Sequence, residues 1–206
     1  MFRSIFRPDS PLMITMNQIT DCIFLSLFWL VGCFPVITAG VSAAALYDAV
    51  WQGYRKGDRN PWSRFAQAFR RNLKPGILAA LVFLPLAALV LWALIQVWNS
   101  AVYGRISWAV FAAAAFVAVV LTGMGSIVFP QLSRFENPTA ALFANSFRLG
   151  MAHLPGTVAL GLLNMATIFL CARFVVPLFF LPALSTLVGT LFIEPMFRPY
   201  MPQETE

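Results

Sequence analysis

Twenty-three consecutive residues without a charge, Gly76 to Trp98 (GILAALVFLPLAALVLWALIQVW), constrain this chain more than anything else in it. One strongly polar side chain, Gln96, stands near the end of the run. At an α-helical rise of about 1.5 Å per residue the stretch reaches about 34 Å, against a hydrocarbon core of about 30 Å. A helix apolar on every side has nothing to face at the surface of a small water-soluble domain. The stretch reads as a membrane span, and the other apolar segments become further spans or the pieces between them.

Composition agrees with that reading. Of 206 residues, 60% are hydrophobic and 11% charged, with a mean hydropathy of +0.77; an ordinary soluble domain carries about 25% charged residues. The expectation is a single integral membrane domain over residues 1–206. The formal charge of +6 does not point to nucleic acid, because the basic residues sit between apolar runs, where they set topology and meet anionic headgroups. The lipid bilayer is the expected partner. Cys22, Cys33 and Cys171 all lie in apolar stretches, with neither metal-ligand spacing nor a disulfide framework.

Along the chain, Asn17 or Thr20 is a candidate cap for a first helix with Asp21 in its first turn. The first span runs from about Ile19 to Phe34. A cleaved signal peptide is the rival reading, since Val41-Ser42-Ala43 resembles a cleavage site, but the leading segment is too long and weakly basic. Pro35 to Gly40 then breaks the pattern. Ser42 to Tyr54 is apolar but, at about 20 Å as a helix, too short to cross. It is expected in the interface or packed below the first span, with Asp48 inside it. Spans over 76–98, 106–129, 154–171 and 174–193 follow. Gly123, Gly125 and Ser126 offer a small-residue packing surface. Trp98, Tyr103 and Trp108 form an interfacial aromatic cluster, and Pro177 and Pro182 should kink the last helix. The expected fold class is all-α: a polytopic membrane helical bundle of about five transmembrane helices plus short amphipathic interface helices.

Arg55, Lys56, Arg59, Arg64, Arg70, Arg71 and Lys74 make the segment 55–74 the basic centre of the chain. Asn60-Pro61 is a helix start, and Trp62, Phe65, Phe69 and Leu73 recur at helical spacing, which predicts a basic amphipathic helix on the membrane surface. These seven cations are the candidate contacts to a partner or to headgroups; the plain alternative is that they only fix orientation. Asn137-Pro138 starts a second short helix. A faint internal repeat links 19–99 with 106–172, the last span (174–193) being an addition. Phe34-Pro35 and Phe129-Pro130 each close a span, an Asn-Pro helix follows, and Pro75-Gly76 and Pro155-Gly156 each open the next. With five spans, ten of the fourteen Lys/Arg fall on the side of the two polar segments and the C-terminus. The positive-inside rule then puts the N-terminus outside and the C-terminus in the cytoplasm. An extra or missing crossing near 35–54 or 171–174 would reverse this.

The run Asn17, Asp21, Trp29, Pro35-Val36-Ile37-Thr38-Ala39-Gly40 and Ala45-Leu46 resembles the start of the YesL family of small bacterial membrane proteins. Phe65 and Phe69 before Asn72, and Phe129-Pro130-Gln131-Leu132-Ser133-Arg134-Phe135-Glu136, are similar to its later landmarks. The resemblance implies a multi-span protein of the bacterial cytoplasmic membrane, often encoded beside carbohydrate ABC-transporter and glycan-degradation genes. The sugar connection comes from the resemblance alone. The family has no assigned biochemical role, so no site residue carries over.

Motifs for chemistry are absent from the sequence: no GxxxxGK[ST], no GxSxG, no HExxH, and one histidine, His153, at a span edge. No catalytic residue, metal or cofactor is expected. Two intramembrane polar residues stand out as candidates. Asp48 could meet Arg55 or the basic helix, and Asn164 could bond a neighbouring helix or line a polar path. Glu194 and Arg198, four apart, are expected to pair. Two functions fit: a non-enzymatic accessory or scaffold that binds sugar ABC-transporter permease subunits, or a self-contained transporter or channel for a small neutral solute. The stretch Ala43–Gly53 lacks the EAA…G…LP pattern of ABC permease coupling loops, so the chain is not expected to be the permease itself.

Overall fold

The computed structural model describes residues 11–55, 60–104, 106–135 and 138–200. The described residues form an all-α bundle of eight helices: α1 (Pro11–Cys33), α2 (Ala39–Val50), α3 (Pro61–Arg71), α4 (Leu73–Val102), α5 (Trp108–Arg134), α6 (Thr139–Ala152), α7 (Leu154–Arg173) and α8 (Leu181–Phe197). Stretches of α1, α4, α5 and α7 are long and apolar enough to cross a membrane. Their outward residues, among them Phe28, Val31, Leu81, Leu89, Trp92, Phe116 and Ile168, are large, apolar and exposed, as surfaces that meet acyl chains must be.

The helix the sequence placed in the interface or below the first span is the centre of the molecule. Ten of the twelve residues of α2 are buried, walled in by α1, α3, α4, α5 and α8. Small residues make this possible. A Cβ on Gly40 would collide with the Phe129 ring, and one on Gly32 of α1 with Ser42. After the 3-10 turn Val36–Thr38, α2 folds back antiparallel to α1. Ser42 Oγ donates to Trp29 O at 3.2 Å, and Tyr54, in the π-helical turn Trp51–Arg55, donates to Gln18 O. The length argument that excluded a crossing was sound. What it could not supply was the set of neighbours that buries a short apolar helix on every side.

Helix α3 starts at Pro61 as the Asn-Pro signal predicts, since a proline in the first turn lacks only a donor that has no partner there. Its apolar face packs on protein, with Trp62 still 43% exposed at its start. Trp62 lies against Phe24, Phe65 against Phe28 and Phe69 against Gly32, so α3 runs alongside α1 in the same direction. Phe65 and Ala68 join Leu25, Ala45, Leu46 and Ala183 in one core cluster. The amphipathic pattern was right, and protein covers the part of its apolar stripe around Phe65 and Ala68.

Single residues join α3 to α4 and α6 to α7. Asn72 donates its N–H to Ala68 O at 3.0 Å and accepts from Gly76 N at 2.8 Å; His153 bonds Leu149 O (3.1 Å) and Thr157 N (3.0 Å) in the same way. Each bend thus keeps its backbone groups paired, and Pro75 and Pro155 follow within the first turn, where a missing N–H costs nothing. The two Phe-Pro points are not alike. Helix α1 stops before Pro35, whereas α5 continues through Pro130 to Arg134.

Three further expectations change. Helix α1 begins at Pro11, so Asn17, Thr20 and Asp21 lie inside it; Thr20 bonds back to Met16 O, and Asp21 accepts from Trp62 Nε1 at 3.0 Å. Residues 174–193 are not one kinked helix. Pro177 sits in the 3-10 turn Val176–Phe179 and Pro182 in the first turn of α8, where it opens the helix instead of bending it. At 17 residues, α8 is at the short limit of a crossing. Asn137, the expected cap of α6, lies outside the described residues.

Trp98, Trp108 and Phe111 close the α4–α5 turn with edge-on ring contacts at centroid distances of 5.1–6.0 Å, and Tyr103 is exposed beside them.

Candidate functional site

Polar side chains are scarce in this interior, and they converge. Tyr47 and Asp48 project from the second half of α2 and Trp51 from the π-helical turn after it; Arg71 and Asn72 stand at the end of α3; Gln131 and Arg134 end α5; Glu194 comes from α8. Glu194 Oε1 accepts from both the Tyr47 hydroxyl and Arg134 Nη2. The Arg134 guanidinium also lies over the Trp51 ring, 4.6 Å from its centroid. Arg71 Nη2 is 4.0 Å from Asp48 Oδ2 and donates to Ser133 O at 3.3 Å. A desolvated charge is tolerated only when paired and hydrogen-bonded, and this cluster ties α2, α3, α5 and α8 together by that rule.

The structure brings together two of the expected site residues, Asp48 and Arg71. Asp48 meets the basic helix, as one of its expected alternatives had it. Arg64 and Arg70 are exposed on α3, and Lys74 is exposed in the first turn of α4. Arg55 ends the π-helical turn, its side chain undescribed, and Lys56 and Arg59 lie outside the described residues. Glu194 does not pair with Arg198; its partners are Tyr47 and Arg134. Sequence reasoning missed Tyr47, Trp51, Asn72, Gln131, Arg134 and Glu194 as members of a site. The one available signal was the presence of Arg134 and Glu194 at the ends of apolar runs, with opposite charge.

Asn164 Nδ2 donates to Ser126 Oγ and to Leu160 O, both at 2.9 Å, which makes it a bridge between α7 and α5. Asn164→Leu is expected to lower stability by about 0.6–2 kcal/mol, the range for such bonds between membrane helices, read as a small fall in the unfolding midpoint in detergent. A cavity of about 290 Å³ opens beside it, lined in part by Tyr47, Thr122, Ser126, Ser185 and Thr186. The four hydroxyls on α5 and α8 donate to carbonyls of their own helices, so the cavity offers acceptors more than donors.

Among the described residues, His153 is exposed at the α6–α7 bend, the three cysteines are free, and no group of three or more His, Cys, Asp and Glu could hold a metal.

The fold and this cluster define an all-α helical bundle with four helices suited to cross a membrane. Residues 22–94 match a family model described as "Protein of unknown function, DUF624". The match takes in α2 and α3 whole, with Asp48, Arg71 and Asn72, and stops short of Arg134, Asn164 and Glu194. No curated protein and no solved structure matches the chain.

Proposed function

We propose that the chain is a non-enzymatic accessory or scaffold protein of the bacterial cytoplasmic membrane, which docks permease subunits of a carbohydrate ABC-type uptake system. The observation that carries the docking role is the outer face of α3. Arg64, Gln67 and Arg70 are exposed there, and Lys74 is exposed in the first turn of α4, while Phe65 and Ala68 anchor α3 to the core. A cationic surface held on a rigid helix suits an acidic partner surface. The carbohydrate system itself rests on the YesL resemblance, with which the unknown-function family match is compatible. The proposed orientation keeps the N-terminus outside and the C-terminus cytoplasmic. Support comes from α8, which brings Met196 back against Gly156 near the start of α7 and so favours a fifth crossing.

The test is mild-detergent affinity purification of the tagged protein from native membranes, with mass spectrometry. Sugar-permease subunits should copurify in stoichiometric amount and fall at least about tenfold when Arg70→Glu and Lys74→Glu are combined, the size of effect that charge reversal at an interface produces. A lone wild-type protein defeats the proposal. Flux in liposomes would then address the second reading, a transporter for a small neutral solute, which the hydroxyl-lined cavity beside Asn164 favours. That reading requires flux to drop in Asn164→Leu.

A further inference from the structure

A second cavity, of about 450 Å³, lies between the α3–α4 bend and the end of α5. Its polar lining is Arg71, Asn72, Ser133 and Arg134; Pro75, Leu132 and Phe135 complete it. The volume is in the ordinary range for a small-ligand site, about 300–1,000 Å³. Two features set it apart from the apolar clefts elsewhere on the molecule. The described lining holds two cations and no carboxylate: Asp48 and Glu194 approach Arg71 and Arg134 from outside it. It also holds donors that nothing accepts. Asn72 is 3% exposed, yet its Nδ2 has no partner, and neither has Arg134 Nε.

Buried donors left unpaired cost about 1–3 kcal/mol each, and such exceptions call for an explanation. Here the residues that carry them, Asn72 and Arg134, line the same space together with Arg71. The Ser133 hydroxyl, by contrast, is spent on Pro130 O, and its carbonyl accepts from Arg71. Arg71 is free to turn, with 60% of its side chain exposed and Asp48 only at the limit of ion-pair distance. An acceptor-only group carrying negative charge would satisfy all these donors at once, and guanidinium forks suit the oxygens of phosphate best.

We propose that this cavity is a binding site for a phosphate group, held by Arg71, Asn72 and Arg134. The shared chemistry admits two sources, a phospholipid headgroup reaching in from the bilayer or a free phosphate ester from the aqueous side. The site is independent of the docking role of α3.

The test uses the full chain in micelles of a neutral maltoside detergent, which carries no phosphate. Inorganic phosphate is titrated against chloride at matched ionic strength, and in a second arm phosphatidylglycerol is titrated into the micelles; thermal unfolding is followed in both. A saturable rise in the midpoint with inorganic phosphate assigns a free phosphate ligand, and a rise with phosphatidylglycerol alone assigns the headgroup. Either response should weaken about tenfold in apparent affinity in Arg71→Gln and in Asn72→Ala. The unliganded midpoint of each variant, compared with wild type, separates a folding defect from lost binding. The absence of a saturable response in both arms overturns the site, and so does a response that neither variant weakens.

Discussion

Arg134→Ala is expected to destabilise the folded chain by about 3–5 kcal/mol, because it strands the Glu194 carboxylate inside the bundle. Both side chains are largely withdrawn from solvent, with 13% and 15% exposed. Glu194 would keep only the Tyr47 hydroxyl as partner. The converse change, Glu194→Ala, leaves a guanidinium over the Trp51 ring with no counter-charge and should cost a similar amount. Glu194→Gln removes the charge but keeps an acceptor for Tyr47, so it should fall between that variant and wild type. The pair spans α5 and α8, sixty residues apart in sequence, and Tyr47 adds α2. The penalty should therefore appear as global unfolding, not local fraying. Replacing both ions at once, Arg134→Leu with Glu194→Leu, should cost much less than the two alanine variants added together, since neither charge is then left alone. Chemical unfolding in a mild detergent reads all four. An Arg134→Ala variant that loses less than about 1 kcal/mol, against the range given for a broken buried pair, would sink this account.

The same cluster marks where the sequence stops being informative. Spans were legible because the signal is local: α4 and α7 emerge close to the predicted 76–98 and 154–171 from hydrophobic length alone. The small-residue surface of α5 was legible for the same reason. The role of α2 was not. Its twelve mostly apolar residues are ambiguous by length, and only the arrival of α5 and α8, encoded some eighty or more residues later, makes Ala44, Tyr47 and Val50 interior. Glu194 was assigned to Arg198 because an i, i+4 pair can be read from spacing, while a contact with Arg134 exists only once α5 and α8 have packed. Proline was misread in both directions. Its effect depends on position in the helix: Pro182 is harmless in a first turn, whereas Pro130 lies inside α5, which continues through it to Arg134.

The second large effect is expected at the crossing of α5 and α7. A Cβ on Gly123 would overlap the carbonyl oxygen of Thr157, and one on Gly161 would overlap that of Val119. The two helices meet backbone to backbone, each glycine seated on a carbonyl of the other, where Cα–H groups can lie against oxygen for about 0.5–1 kcal/mol per contact. No rotamer relieves a clash with a main-chain oxygen, so Gly123→Ala must push the helices apart. That movement also strains the Asn164–Ser126 bond and the Thr157 hydroxyl bond to Gly150 O at 2.9 Å, which stitches α7 to α6. We expect a loss of about 3 kcal/mol for Gly123→Ala or Gly161→Ala, at the upper end of the overpacking range, and more for leucine. Gly189 on α8 is the internal control. A Cβ there would come no closer than 3.5 Å to Leu160, an ordinary contact. Gly189→Ala should then gain about 0.5–1 kcal/mol from helix propensity, provided nothing else moves. The three variants share one chemical change, so their unfolding midpoints in the same detergent compare directly. Equal effects at 123, 161 and 189 would mean that propensity alone is being measured and that α5 and α7 do not meet backbone to backbone. A steep loss at 123 and 161 with a gain at 189 is the pattern this crossing requires.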